Sequence, residues 1–219
     1  GHSLGLAATA ALLALVLALI LGYGRRLHPT RGVTAAVRIA GMGYAVPGTV
    51  IAVGVIIPFA WLDNSLDAWM RANFGLSTGL LLSGTLAALL FAYLVRFLAV
   101  ALQTVESGLG KIRPAMDESA RSLGLRPGGV LRRVHLPMLR GSLLTALLLV
   151  FVDVLKELPA TLILRPFNFN TLAVRVYELA ADERLADAAP AALAIVLTGL
   201  LPVILLSRSI TQSRHAQTT

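Results

Sequence analysis

Four stretches of about twenty residues or more carry no charged side chain: Leu4 to Tyr23, Ala40 to Leu62, Ala72 to Val95 and Ala188 to Leu206. Each is long enough, as an α-helix, to cross about 30 Å of hydrocarbon. A fifth stretch begins at Gly141 as GSLLTALLLVFV, meets Asp153, Lys156 and Glu157, and closes at Pro159. It is counted as a span. The pattern predicts an all-α membrane protein with helices over about 4–23, 40–62, 77–99, 139–158 and 188–207, forming one membrane domain at 1–210 with a tail at 211–219. Gly41, Gly43, Gly48 and Gly54 punctuate the second span, and Pro47 and Pro58 lie in it, so a kink or break is expected there. Either ordinary bundle packing or a gating, pore-lining helix accounts for that composition.

Composition agrees with the pattern. Hydrophobic residues make up 57%, charged residues only 14%, and the mean hydropathy is +0.79, far from a soluble domain of 219 residues. Cysteine is absent, which excludes disulfides and thiolate metal sites. The first apolar stretch is followed by Arg25 and Arg26 rather than preceded by positive charge, which argues against a secretory signal peptide. The chain begins at Gly1 without an initiator Met, so it is read as a piece of a longer protein.

The net charge of +8 raises the question of nucleic acid, and its distribution answers it. Between the first two spans lie Arg25, Arg26, Arg31 and Arg38 with no acid, whereas the next loop holds Asp63, Asp67 and Arg71. From Arg96 to Arg140 eight basic residues face three acidic ones, and from Lys156 to Asp187 four face five. Basic and near-neutral loops alternate, as the positive-inside rule requires for an N-terminus outside and a C-terminus inside. The charge reports topology, and no nucleic-acid partner is expected. Arg96, at the inner end of the third span, is expected to snorkel to the headgroups, and Trp61 and Trp69 to sit at the outer interface.

The loop at about 105–138 is too long for a simple connection. Pro114 suits a first helical turn, Asp117 and Glu118 follow where negative charge is favoured, and Gly124 suits the stop, so a short helix is expected from Pro114 to Leu123. Arg126 and Pro127 start a second short helical stretch towards His135, Leu136 and Pro137. The result is a helix-turn-helix elbow. Its residues Glu118-Ser119-Ala120, three residues, Gly124, nine residues, Val134, one residue, Leu136-Pro137 resemble the EAA loop of type I ABC importer permeases, E-A-A-x3-G-x9-I-x-L-P, with Ser119 and Val134 as mild departures. The resemblance implies a coupling helix seated in a groove of a separate ATPase dimer, with Glu118, Ser119, Ala120 and Gly124 at the contact and Val134, Leu136 and Pro137 fixing the elbow against the bundle. It also implies the bacterial inner membrane, a periplasmic substrate-binding protein and a second permease half, fused or separate. A chance match on an amphipathic interfacial helix is the competing reading.

The ATPase is not in this chain. Its only lysines are Lys111 and Lys156; before Lys111, Val105 stands where a phosphate-binding loop needs Gly, and Ile112 follows where it needs Ser or Thr. No cofactor is therefore expected here, ATP and Mg being handled by the partner.

Asp153, Lys156 and Glu157 fall on one helical face at membrane depth, which makes them candidates for the translocation path or gate, together with Pro47 and Gly48; an intrahelical ion pair is the alternative. The segments MGYAVPGTV and KELPATLILRP, with NTLAVRVYELAADERL after it, are similar to ferric-iron importer permeases over roughly residues 4 to 210. That resemblance implies a C-terminal permease half passing ferric iron; thiamine, polyamine and sulfate permeases share the architecture. His2, His28, His135 and His215 are scattered, so no metal site follows from them. Two other classes have weaker support. A secondary transporter or channel would rest on the Asp153 cluster alone, and an intramembrane enzyme on Ser83 without a nearby base.

Overall fold

The computed structural model describes residues 2–215, with side chains described through Leu200 and again at Ile204. Helix α1 (His2–Leu27) is followed by α2 (Arg31–Ala40), a 3-10 turn (Gly43–Ala45) and α3 (Gly48–Phe74). Then come α4 (Leu86–Gly110), α5 (Pro114–Ser122), α6 (Pro127–Val130), a π turn (Leu131–His135) and α7 (Leu136–Leu155). The chain continues through α8 (Pro159–Leu164), α9 (Leu172–Ala181) and α10 (Leu185–His215). Among the described residues there is no strand. The helices α1, α3, α4 and the continuous α6–α7 are long and apolar enough to cross a membrane, and α10 is apolar over Leu185–Leu200.

Helix starts follow local chemistry. The hydroxyls of Thr30, Thr85 and Thr171 accept hydrogen bonds from Val33, Ala87 and Val174, capping α2, α4 and α9. Pro114 and Pro159 open α5 and α8, where a missing N–H costs nothing.

The core is a triad of α1, α4 and α7, each packed on the other two. Hydrophobic burial cannot hold helices together in lipid, so close backbone approach must. Helix α1 presents Ala7, Ala10, Ala11, Ala14 and Ala18, all buried, on one face, while Leu12, Val16 and Ile20 stay exposed on the other. Small inside and large outside is the pattern expected of a helix whose outer face meets acyl chains.

Two expected spans are displaced. The second is broken: α2 ends at Ala40, the chain leaves the α-helix until Gly48, and α3 then runs past the expected end at 62 to Phe74. Asp63, Asp67 and Arg71 therefore lie on α3 rather than in a loop. Asp63, 1% exposed, accepts backbone hydrogen bonds from Leu81, Leu82 and Ser83, and Asp67 from Thr78 and Gly79, so the two carboxylates organise the α3–α4 connection. That connection holds Gly75, Gly79 and Gly84 at positive φ, which keeps the charge-free stretch after Ala72 from continuing as helix. The third span consequently starts at Leu86 instead of 77 and ends at Gly110. Arg96 is thus an interior residue of α4, about 15 Å from its first turn and about 21 Å from its last. It does not snorkel. The expected tail at 211–219 begins inside α10, and residues 216–219 lie outside the described residues.

The broken segment lies tightly on α4. A Cβ on Gly43 would stand 1.8 Å from the Val95 carbonyl oxygen, so backbone meets backbone there. Gly43→Ala should therefore destabilise the protein by at least the ~1–3 kcal/mol typical of overpacking, read as thermal unfolding in detergent. Gly54, where an added Cβ would meet no atom within 4 Å, supplies the control. Gly54→Ala should be neutral or stabilising, and equal losses at both positions would refute the close packing.

Candidate functional site

The expected short helix forms as α5. Its end is a Schellman stop: Gly124 takes φ +84°, its N–H donates to the Arg121 carbonyl at 2.8 Å, and the Leu125 N–H donates to the Ala120 carbonyl at 3.1 Å. Only glycine reaches that φ without strain, which accounts for Gly124 in the pattern. Glu118 and Ser119 are exposed and Ala120 is buried at 6%. The hydroxyls of Ser119 and Ser122 donate back to the carbonyls of Ala115 and Glu118, leaving a smooth outer face on which Glu118 has no side-chain hydrogen bond or ion pair among the described residues. Leu123, at the end of α5, is 84% exposed.

The second half of the elbow differs from expectation. The π turn at Leu131–His135, with the Leu136 N–H donating to the Leu131 carbonyl, joins α6 to α7, so the anticipated second short helix is the beginning of a long one. Val134 and Leu136 are half-buried and Pro137 is exposed. The most deeply buried residues here are Val130, His135 and Leu139, each at most 1% exposed.

Sequence reasoning missed the charged centre of this elbow. Asp117 receives Arg26 Nε on Oδ2 at 2.8 Å and lies 2.6 Å from His135 Nε2 through Oδ1. The same guanidinium donates to the carbonyls of Leu109 and Ile112 at the end of α4. Tyr23 donates to the Pro127 carbonyl at 2.7 Å and meets the His135 ring edge-on. His135 Nδ1 is buried without a hydrogen-bond partner, so among the described residues Asp117 makes the ring's only hydrogen bond. Burial by itself pushes the Asp117 carboxyl up, but the bonds from Arg26 and His135 outweigh it and hold the group below its ordinary value of 3.8. Arg26 and Asp117 are 91 residues apart, and no local motif connects them.

A second constellation gathers at the Gly41–Pro47 break. Glu157, 6% exposed, lies with Oε2 3.3 Å from Arg96 Nε. That nitrogen is not aimed at the carboxylate, so charge rather than a directed hydrogen bond holds the pair. Arg96 donates to the Val46 carbonyl at 2.9 Å and lies 5.9 Å from the Tyr44 ring. Glu157 Oε1 accepts from the Ala160 N–H at 3.2 Å, and its carbonyl accepts from Thr161, whose hydroxyl bonds Tyr93 at 2.6 Å. Gly48 is part of this packing, since a Cβ there would stand 2.6 Å from Glu157 Oε1. Pro47 caps α3 and is exposed. The structure thus brings Pro47, Gly48 and Glu157 together around Arg96, whereas Asp153 and Lys156 pair with each other at 2.8 Å. Arg96 was visible as a charge within an apolar helix once Leu86 is taken as the start; its partner was not.

Residues 12–214 match the family described as the binding-protein-dependent transport system inner membrane component. The chain belongs to that family. This permease is 30% identical over 171 residues to the Fe(3+)-transport system permease protein FbpB 2 of Haemophilus influenzae, matching 78% of this chain and 31% of that one. It is 29% identical to PhnV of Salmonella typhimurium, named for a 2-aminoethylphosphonate transport system, over 75% of this chain and 56% of the relative. The permease thus spans about a third to a half of the curated relatives it matches. Its fold matches a bacterial ABC transporter involved in alginate import, with TM-score 0.77 at 15% identity over 96% of this chain and 77% of that one. The same holds for the alginate transporter in complex with a pentasaccharide-bound periplasmic protein, at TM-score 0.73 and 16% identity. The chain is thus an inner membrane component of the binding-protein-dependent transport type, a family of transport proteins, and among its described residues four helices are long and apolar enough to cross a membrane.

Two outcomes follow. Arg96→Met or Glu157→Leu alone strands a buried charge and should cost about 3–5 kcal/mol, while the double replacement should recover most of it; thermal unfolding of all three variants in detergent checks this. The Asp117 carboxyl has a lower pKa folded than unfolded, so its contribution is complete above the ordinary value of 3.8 and is lost as pH falls through the folded value. Acidification from pH 5 to about 3 should therefore loosen amide protection in 114–137, and Asp117→Asn should remove that acid-dependent step.

Proposed function

We propose that this chain is one half of the membrane permease of an ATP-driven importer in the bacterial inner membrane, passing ferric iron from a periplasmic binding protein to the cytoplasm. Its α1 begins on the outer side, so that α5 meets a separate ATPase dimer on the inner side, as the basic flanks of the elbow favour. The observation that carries this reading is α5 itself: a helix closed by the Gly124 stop and tied to the bundle on one side through Asp117, with Glu118 exposed and unpaired among the described residues on the other, at the spacing of the coupling loop. A bare carboxylate with small residues around it suits a basic groove on a partner. ATP and Mg belong to that partner, and a second half completes the passage.

The break at Gly41–Pro47 is the gate in this reading. Non-helical backbone at membrane depth is tolerated where it is buried in protein or lines a cavity, and Tyr44 and Met42 are exposed there, ready to meet the second half. Charges near the passage cancel in pairs, Arg96 with Glu157 and Lys156 with Asp153, which leaves substrate selection to the binding protein. Iron rests on the Haemophilus relative, whose name states it. The phosphonate relative supports an anionic cargo at nearly equal identity.

The test is reconstitution of the parent permease with its ATPase and binding protein in proteoliposomes. Glu118→Ala and Gly124→Val should each lower binding-protein-stimulated ATP hydrolysis at least tenfold, about 1.4 kcal/mol of coupling, with membrane insertion intact. Unchanged hydrolysis in both variants would sink the coupling reading. Uptake of radiolabelled ferric iron against 2-aminoethylphosphonate then decides the cargo.

A further inference from the structure

Helix α5 carries a nine-residue surface towards its partner, but a surface transmits nothing unless it is fastened behind. Among the described residues, Asp117 makes the only side-chain hydrogen bonds from α5 to another element. One oxygen holds Arg26 at the end of α1; the other holds His135 at the foot of α7. Arg26 extends the connection to the end of α4 through the Leu109 and Ile112 carbonyls, at 2.7 and 2.8 Å. These are the three helices of the core triad. The side chains of Arg26, Asp117 and His135 are 16%, 15% and 1% exposed, so little water is available to substitute for a lost bond.

We infer that Asp117 is a positioning residue that makes α5 one rigid body with α1, α4 and α7, so that displacement of the loop by the ATPase reaches the membrane triad instead of being absorbed at the elbow. The inference rests on the reading that α5 meets the ATPase, and it assigns separate tasks to neighbouring residues. Glu118 faces outward and docks; Asp117 faces inward and transmits. Among the described residues, helices α2 and α3 contribute no side-chain hydrogen bond to this centre.

The two tasks separate in the reconstituted full complex when ATPase association and substrate uptake per ATP hydrolysed are both measured. Asp117→Asn and His135→Leu should leave ATPase association within about twofold of the parent and lower uptake per ATP about tenfold. His135→Gln keeps a side-chain N–H donor for Asp117 and should restore most of the ratio. A loss of correctly inserted molecules lowers uptake and hydrolysis together and leaves the ratio unmoved, so a purely structural role does not imitate this result. An unchanged ratio in Asp117→Asn overturns the inference, as does loss of ATPase association of the kind expected for Glu118→Ala. Should Asp117→Asn fail to insert, Arg26→Lys, which keeps the charge and removes the fork to Leu109 and Ile112, is read by the same ratio and the same criteria. Failure of the underlying reading looks different: Glu118→Ala then leaves association and hydrolysis intact.

Discussion

A guanidinium inside a membrane helix must be neutralised and must have its N–H groups occupied, because hydrocarbon offers neither charge nor acceptors. Arg96 meets both demands by drawing three parts of the chain to one point: Glu157 just beyond α7 supplies the charge, Val46 in the broken segment supplies a carbonyl, and α4 carries the residue itself. The break supplies one of those acceptors. A chain that leaves the helix at membrane depth exposes carbonyls, and Arg96 occupies one of them. Glu157 in turn is held by the Ala160 N–H, and the Thr161–Tyr93 bond closes the shell around it. The arginine therefore lies where the broken segment, the residue just beyond α7 and the close-packed Gly48 meet.

The elbow obeys the same rule under milder conditions. It lies at the end of the helices, where solvent is near, so its outward charge can stay unpaired while its inward charge cannot. Glu118 and Asp117 are adjacent in sequence and opposite in environment. A nine-residue helix with one carboxylate on each side can face a partner and grip the bundle together, provided its end is fixed, and the Gly124 stop fixes it.

The helical character, the membrane setting, α1 and the elbow were legible in the sequence because each depends on local signals: an apolar run, a proline at a first turn, a glycine at a stop. The placement of α4 was not. Reading spans from charge-free runs assumes that a charge marks a helix end, and Arg96 violates that assumption because its partner lies 61 residues away in Glu157. The glycines of the α3–α4 connection carried the opposite hint, since Gly75, Gly79 and Gly84 at short intervals argue against helix, yet their apolar neighbours masked it. Of the candidate gate residues, Pro47, Gly48 and Glu157 do converge, whereas Asp153 and Lys156 satisfy each other. Asp117, Arg26 and His135 were present as ordinary loop charges, and only the fold shows that they share one centre.

The π turn between α6 and α7 sets the angular phase of everything before it. Residues five apart in an α-helix are offset by about 140°, so Val130 and His135 would point to different sides of a regular helix. With the extra residue of the π turn both face the bundle and both are buried. The turn works as an indexing step between a membrane helix and the loop it carries: its residue count, rather than the strength of any contact, determines which way the elbow is aimed. A deletion of one residue from Leu131–His135 would leave every helix able to form and yet turn α5, with the exposed Glu118, to another side of the bundle.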